Sequence, residues 1–258
     1  MSKPKVSIVT SVYKADLFID GLLENVVSQT CFDQCEWIMI QPKGDGFSKR
    51  VDESIKIYQE KYSNILYSNL ETDPSVYAVW NNAIIESSGD FITNWNCDDR
   101  RYPDSLQKQI DFFEEHSSID LIYNDQFWHR EPNWIPWDKR YNNIEPYPIF
   151  YTINYENKKK PKYSRLAMQK NLPHNDPIWR SSLHKKNGYF REDAITVSDH
   201  EFWLRCINNG AVFEKIENVM GIYYHNPNGI STKPENMKKI QIEYEKIIIP
   251  LLEGLTNE

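Results

Sequence analysis

Two patterns of hydrophobic residues alternate along the first half of the chain. Short apolar runs, of about the length of a buried strand, are followed by stretches with apolar residues three or four positions apart, as in an amphipathic helix. The runs predict strands at 6–13, 36–40, 65–67, 90–95 and 119–123. The periodic stretches predict helices at 17–30, 49–62, 76–87 and 106–116. This alternation is typical of βαβ units, so we expect an α/β fold with a mostly parallel central sheet flanked by helices.

The pattern changes after Asp125. Residues 126–173 are rich in aromatic residues, proline, asparagine and lysine and have no clean period, which favours a functional lid or binding loop. Its tryptophans Trp128, Trp134 and Trp137 are candidates for an acceptor platform, although plain packing explains them equally well. Further helices are predicted at 178–186 and 199–208, strands at 212–216 and 219–224, and a closing amphipathic helix at 237–252. We expect one domain over 1–258, with halves at 1–125 and 126–232 and a terminal helix at 233–258.

Composition narrows the class of protein. The 258 residues include 30 Lys and Arg against 37 Asp and Glu, a net charge of −7 that argues against a nucleic-acid binder. The 8 Trp and 16 Tyr suit stacking on sugars as well as core packing. The four cysteines show no disulfide or zinc spacing, so reduced thiols and a cytoplasmic location are expected. No apolar stretch approaches the roughly 20 residues of a membrane span. The oligomeric state stays open, a homo-oligomer being one option.

The end of the fourth predicted strand carries the strongest chemical signal. Asp98 and Asp99 follow it directly, and Arg100 and Arg101 come next. Neighbouring carboxylates repel and raise each other's pKa, so a compensating charge is expected. Mg²⁺ and similar cations take carboxylate and phosphate oxygens, and ligands of open α/β sheets sit at the carboxyl ends of strands. The alternative is a solvated turn that caps the following helix. The arginines are more typical of structural partners for nearby acids than of phosphate ligands.

Five segments in order resemble motifs of the family 2 glycosyltransferases, which are inverting enzymes with the GT-A fold. The segments are 6–13, 78–83, 96–99, 198–205 and 223–231. Each motif alone is weak, but five in this order, over nearly the whole chain, are specific. The resemblance implies a metal-dependent transfer of a sugar from a nucleoside-diphosphate sugar, first of all a UDP-sugar, to a hydroxyl of a glycan or other acceptor. The implied cofactor is Mn²⁺ or Mg²⁺.

The resemblance also implies roles for single residues at the donor site. It places Asp99 on the metal ion and Asp98 on the ribose or a metal-bound water. A third ligand is either His225 or Asn226, because the family's histidine aligns better with Asn226. The remaining donor contacts are implied for Thr10, Ser11, Val12, Tyr13, Gln41, Asn81 and Asn82.

On the acceptor side, the resemblance implies that Asp199 is the catalytic base, with Glu201 as the second choice and a possible acceptor contact. A carboxylate within hydrogen-bond reach can remove the proton of an attacking hydroxyl. Ser198 and Asp199 would also suit an N-cap and first helical turn. Trp179 and Arg180 are implied to contact the acceptor.

Two departures from the family pattern keep alternatives open. Gln41 stands where the family has an aspartate for the base, so uracil, guanine and thymine all remain candidates. Ser198 stands where the family typically has glutamate. One rival is a relative that binds nucleotide sugars or glycans without turnover. A second, a sugar-1-phosphate nucleotidyltransferase, needs a glycine-rich loop after the first strand, and residues 13–16 contain no glycine.

Overall fold

The apolar runs of the sequence form strands of one continuous mixed sheet. The computed structural model describes residues 3–135, 149–150, 170–174 and 176–254. The strands in these residues are β1 (Val6–Ser11), β2 (Cys35–Pro42), β3 (Ile65–Leu70), β4 (Phe91–Asn94), β5 (Arg100–Arg101), β6 (Leu121–His129), β7 (Ile149–Phe150), β8 (Ile178–Arg180) and β9 (Phe213–Tyr224). Their spatial order is β3-β2-β1-β4-β8-β6-β9-β5, with β7 paired to β6. The predicted α/β class is therefore confirmed.

Helices cover both faces of this sheet. They are α1 (Ile19–Val27), α2 (Lys49–Lys61), α3 (Val76–Glu86), α4 (Ser105–Glu115), α5 (Ser182–Asn187), α6 (Ser198–Asn208), α7 (Pro234–Glu243) and α8 (Ile249–Gly254). Short 3₁₀ helices span Phe32–Gln34 and Leu172–His174, and a π-helical turn at Tyr244–Ile248 joins α7 to α8.

Strands β1 to β4 are parallel, and β1, β2 and β4 are buried on both faces, whereas β3 is an edge strand with exposed residues. Successive side chains of a strand point to opposite sides, so Ile8 packs into one core and Val9 into the other. The first core takes in Leu22 of α1 and Ile110 of α4, and the second takes in Val79 of α3. This two-sided burial explains why these strands are continuous apolar runs in the sequence.

The helix predicted at 178–186 is wrong at its start. Ile178–Arg180 is strand β8, which runs antiparallel to both β4 and β6. Ile178 lies in one core and Trp179 in the other, as alternation along a strand requires. The helix begins only at Ser182. A short, fully buried apolar run has no period that separates a strand from a helix, which is the reason for the error.

Other boundaries also differ from the predicted ones. β6 continues to His129, so the first residues of the predicted irregular segment form a strand that pairs in parallel with β9. The two strands predicted at 212–216 and 219–224 are one strand, β9, with register shifts opposite Asn124–Gln126. The terminal helix begins at Pro234. Trp137 and the lysines at 158–160 lie outside the described residues.

Candidate active site

The acidic pair lies in a tight turn just after β4. Asp99 is buried, and its two carboxylate oxygens accept hydrogen bonds from Nδ2 of Asn96 at 2.9 Å and from the backbone N–H of Tyr224 at 3.2 Å. Asp98 accepts a hydrogen bond from Nδ2 of Asn226 at 3.1 Å. These donors are all uncharged. These hydrogen bonds therefore leave the charge of the two carboxylates in place, and the positive charge of the nearby Arg100 offsets only part of the effect of burial on Asp98.

Electrostatics at this turn favour a bound cation. Burial raises the pKa of Asp99 well above its ordinary value, and the neighbouring charge of Asp98 adds to the effect. Burial also raises the pKa of Asp98. Carboxylate oxygens with excess negative charge fit a hard divalent cation such as Mn²⁺ or Mg²⁺. Among the described residues no group of three or more His, Cys, Asp or Glu side chains could hold a metal ion. A cation bound by these two carboxylates would therefore take its remaining ligands from oxygens of the substrate and of water.

The two arginines that follow make structural contacts. Arg100 donates hydrogen bonds to the carbonyl oxygens of Cys97 at 2.8 Å and Phe18 at 3.0 Å. Arg101 forms a buried ion pair with Asp176, with 3.1 Å between Nε and Oδ1. The guanidinium of Arg101 also stacks over the Trp95 ring, 4.5 Å from its centroid. These contacts match the hypothesis of structural partners.

His225 and Asn226 differ in what they contact. The His225 ring packs against Trp128, with 4.6 Å between ring centroids, whereas the Asn226 amide reaches Asp98. The structure thus brings Asn226 to the acidic pair. A metal-ligand role for His225 stays a prediction.

Asp199 lies in the first turn of α6 and is held from two sides. The Tyr77 hydroxyl donates to Oδ1 at 3.0 Å, and Nδ2 of Asn171 donates to Oδ2 at 2.9 Å. Burial, followed by the charge of Asp199, raises the pKa of Tyr77 well above its ordinary value, so this hydroxyl remains a donor. Ser198 donates its hydroxyl to the carbonyl of Arg191, and Val197 occupies the N-cap position without a side-chain hydrogen bond. Ser198 is therefore not the N-cap, whereas Asp199 does lie in the first helical turn.

Both acidic groups lie at the same edge of the sheet. The acidic pair follows the carboxyl end of β4, and α3, which carries Tyr77, begins after the carboxyl end of β3. β8 is antiparallel to β4, so the residues that precede β8, including Asn171, also lie at the carboxyl end of β4. A hydrogen bond of 2.6 Å from Oγ1 of Thr93 to the carbonyl of Pro177 fixes this arrangement.

The residues predicted at the end of β1 are unequally accessible. Thr10 is buried, and its hydroxyl accepts a hydrogen bond from Nε1 of Trp37 at 3.0 Å. Val12 is also buried, while the Ser11 carbonyl faces the Cys97 thiol at 3.4 Å. Tyr13 is 37% exposed. A Cβ at Gly46 would lie only 2.0 Å from the Tyr13 ring, so that loop position requires glycine. Tyr13 is thus the one of these four residues whose side chain is exposed.

Gln41 is fully buried, and both ends of its amide are engaged. Its oxygen accepts a hydrogen bond from the Tyr67 hydroxyl at 2.6 Å, and its nitrogen donates to the Ser48 carbonyl at 3.3 Å. Tyr67 also donates to Asp52 at 3.0 Å. Gln41 is therefore part of an internal network as well as a candidate contact for the base.

Asn81 and Asn82 also make internal contacts. The Asn81 amide accepts from the backbone N–H of Phe190 at 3.0 Å and donates to its carbonyl at 2.9 Å. Asn82 is exposed and donates to the Ala78 carbonyl one helical turn earlier at 2.7 Å. Asn81 thus joins α3 to the loop that leads to α6.

The predicted acceptor residues are placed differently from what the resemblance implies. Trp179 is fully buried and donates from Nε1 to Nε2 of His184 at 3.0 Å. Arg180 donates to the Ile119 carbonyl at 2.7 Å and lies over the Phe113 ring. In this structure both side chains therefore serve packing, and Trp179 has no surface for an acceptor.

Glu201 is bound by Arg205 in a two-point ion pair, with Nε to Oε1 at 2.8 Å and Nη2 to Oε2 at 2.9 Å. The side chain of Glu201 is 9% exposed. Its lone pairs are largely used by this pair, which favours Asp199 over Glu201 as a proton acceptor.

Three functional candidates carry no signal in a single sequence. Tyr77, Asn171 and the Arg101–Asp176 pair are recognisable only from contacts between residues distant in the chain. All four cysteines are free, and all four are buried. In the described part of the chain, no helix has the length and apolarity to cross a membrane.

The mixed sheet, the carboxylate pair after its fourth strand and a further carboxylate at a helix start agree with a glycosyltransferase of the GT-A fold. The family described as "Glycosyl transferase family 2" matches residues 7–183. The chain belongs to this family, and it is a glycosyltransferase.

Relatives agree with this assignment. An uncharacterized glycosyltransferase of Methanocaldococcus jannaschii is 28% identical over 229 residues, which cover 88% of this chain and 73% of that protein. A PGL/p-HBAD biosynthesis glycosyltransferase of Mycobacterium bovis is 23% identical over 235 residues, covering 90% of this chain and 80% of the relative.

Solved structures share the fold. S. aureus TarS 1-349 in complex with UDP-GlcNAc superposes with a TM-score of 0.70 at 17% identity, over 97% of this chain and 69% of that one. The mannosyltransferase PcManGT from Pyrobaculum calidifontis, in complex with GDP-Man and Mn²⁺, superposes with a TM-score of 0.67 at 13% identity, over 98% and 69%.

Proposed function

We propose that this glycosyltransferase is metal-dependent and inverting, and that it transfers a sugar from a nucleoside-diphosphate sugar, with a UDP-sugar as the first candidate, to a hydroxyl of a glycan or other acceptor. The observation that carries this proposal is the adjacent pair of Asp98 and Asp99, of which Asp99 is buried, at the same sheet edge as Asp199. The neighbours bound to UDP-GlcNAc and to GDP-Man with Mn²⁺ support a nucleotide-sugar donor in this fold.

Asp98 and Asp99 would hold the divalent cation at the carboxyl end of β4. When bound, such an ion stabilises the negative charge that develops on a departing diphosphate. The two carboxylates supply the charge and the hard oxygen ligands, and Asn226 orients Asp98. Burial of Asp99 keeps water away and strengthens its interaction with a cation.

Asp199 would act as the general base. It takes the proton of the acceptor hydroxyl at one carboxylate oxygen as that hydroxyl attacks the anomeric carbon. The bond from the anomeric carbon to the diphosphate breaks as the new bond to the acceptor oxygen forms. A single displacement of this kind inverts the configuration, and it needs no covalent intermediate and no nucleophilic side chain.

Release of nucleoside diphosphate from a panel of UDP-, GDP- and dTDP-sugars, with Mn²⁺, with Mg²⁺ or with EDTA, tests the proposal. We expect turnover with at least one donor. EDTA should abolish this turnover, and added metal should restore it. Asp99→Asn should be inactive, and added metal should not restore its activity. Asp199→Asn should lower turnover by about 10²- to 10⁴-fold, the contribution typical of a general base.

Asp111→Asn, on the exposed face of α4, is the matched control and should behave as the wild type. Nuclear magnetic resonance of the product should show the inverted anomer. Donor binding in a thermal-shift assay without any diphosphate release would instead favour a binding protein without turnover. Wild-type turnover of Asp99→Asn or Asp199→Asn would show that the role given to that residue is wrong.

A further inference from the structure

In the hydrogen bond between Asn171 and Asp199, the asparagine is the donor. An ionised carboxylate only accepts hydrogen bonds, so the amide nitrogen of Asn171 must be the atom that faces it, at 2.9 Å. The Tyr77 hydroxyl takes the other carboxylate oxygen at 3.0 Å. Among the described residues each oxygen of Asp199 thus has one fixed donor, which leaves a second lone pair on each for a substrate proton.

Asn171 breaks two local rules of stable structure. Its backbone has φ of 52°, in the left-handed region that asparagine tolerates better than most residues. Its side-chain oxygen Oδ1 is buried and lacks a hydrogen-bond partner among the described residues. An unsatisfied buried oxygen costs roughly 1–3 kcal/mol. Departures of this kind are concentrated at functional sites, where geometry is kept at the expense of stability.

The segment that carries Asn171 packs against α6 and is also anchored on the sheet. The Pro177 carbonyl accepts from Thr93 of β4 at 2.6 Å, and the Asp176 carbonyl accepts from Gln109 of α4 at 2.9 Å. The Asp176 side chain forms the buried ion pair with Arg101, two residues after Asp99. Tyr77 comes from α3. Asp199 is therefore held by two elements outside its own helix, and one of these is tied to the strand that presents the acidic pair.

We propose that Asn171 and Tyr77 are positioning residues that fix the orientation of the Asp199 carboxylate, and that Asn171 holds it at the carboxyl end of β4, where the acidic pair lies. This inference rests on the proposed function of Asp199 as the base. A carboxylate pinned at both oxygens cannot rotate away from the acceptor hydroxyl, so the geometry for proton transfer is prepared before the substrate binds.

Titratable groups near Asp199 come from several elements. Tyr77 faces it from α3. His174, three residues after Asn171, contacts the Tyr223 ring and acts on the charge of Asp176. On α6 itself the neighbours are His200 and Glu201, and the latter is paired with Arg205.

Three variants test the proposal in the full chain, with kinetics of diphosphate release as the readout. Asn171→Gly keeps the left-handed backbone and removes the amide. Tyr77→Phe removes only the hydroxyl. For each we expect kcat to fall about tenfold, the loss of one orienting hydrogen bond, while KM for the donor stays within about twofold. Tyr189→Phe, which removes the hydroxyl of an exposed tyrosine, is the control and should keep wild-type kcat.

Asn171→Asp is the decisive variant. It keeps the shape and the tolerance of a left-handed backbone but places a second carboxylate against Asp199. Like charges disfavour ionisation, so the acidic limb of the profile of kcat/KM against pH should move upward by about one unit or more. At high pH the ionised carboxylate at position 171 cannot donate a hydrogen bond, so kcat should stay as low in Asn171→Asp as in Asn171→Gly. Only the Asp variant should show the shifted acidic limb, a difference that general structural damage would not produce.

A wild-type pH profile for Asn171→Asp, or equal loss of kcat and of donor affinity in the Gly and Phe variants, would overturn the inference. If Asp199→Asn is inactive while the Asn171 variants behave as the wild type, only this inference fails. If Asp199→Asn itself keeps full turnover, the proposed base is wrong.

Discussion

Removal of the charge of Asp176 should destabilise the protein strongly. The side chains of Arg101 and Asp176 are both 2% exposed, so neither charge is solvated by water. In Asp176→Asn the guanidinium of Arg101 loses its counter-charge. The Gln126 amide, which now donates to Oδ1 of Asp176 at 2.8 Å, would keep a partner only if the new amide turns its oxygen towards it.

The size of this effect can be estimated from the contacts that survive. Breaking a buried ion pair by removing one partner costs about 3–5 kcal/mol. Arg101 would keep its hydrogen bonds to Thr93 at 2.9 Å and to the Asn94 carbonyl at 2.6 Å, and its stacking on Trp95. We therefore expect a loss near the lower end, about 3 kcal/mol. For a chain of this size that corresponds to a fall in Tm of roughly 6–12 °C.

Urea unfolding followed by circular dichroism measures this loss. Glu71→Gln is the matched control, because Glu71 and Lys43 form an exposed ion pair, with Glu71 83% exposed, and such pairs contribute about 0–1 kcal/mol. An unfolding free energy of Asp176→Asn equal to that of the control would refute the view that the buried pair holds the 170–177 segment on the sheet.

Two further predictions concern α5 and α6. Burial lowers the pKa of His184 to about 4, so its stabilising contribution is complete above pH 6.5, the ordinary value, and is lost as the pH falls towards 4. Between pH 7 and 4 the wild type should lose about 3 kcal/mol more stability than His184→Gln in urea titrations, and parallel curves would contradict this. Glu201→Gln weakens the pair with Arg205 and should cost about 1 kcal/mol in thermal unfolding, with diphosphate release within about twofold of the wild type. A loss of turnover as large as that of Asp199→Asn would make Glu201 the better candidate for the base.

Much of the fold could be predicted from local patterns. Fully buried parallel strands are continuous apolar runs, and the helices that cover them keep a helical period, so β1 to β4 and α1 to α4 lie close to their expected positions. The predictions failed where a local pattern is ambiguous. The first two residues of β8 are apolar and buried in opposite cores, and only the pairing with β4 and β6 makes this short segment a strand.

The sequence by itself determined which residue types meet at the edge of the sheet. Two adjacent aspartates after a buried strand, and a third at the start of a later helix, are visible in the chain because strand ends and helix starts are local features. Only the tertiary structure decided what each side chain contacts. Trp179 is buried, Asn226 rather than His225 reaches Asp98, and Asn171 holds Asp199. Hydrogen bonds and burial depend on partners distant in sequence, and a single sequence carries no record of which distant residues become neighbours.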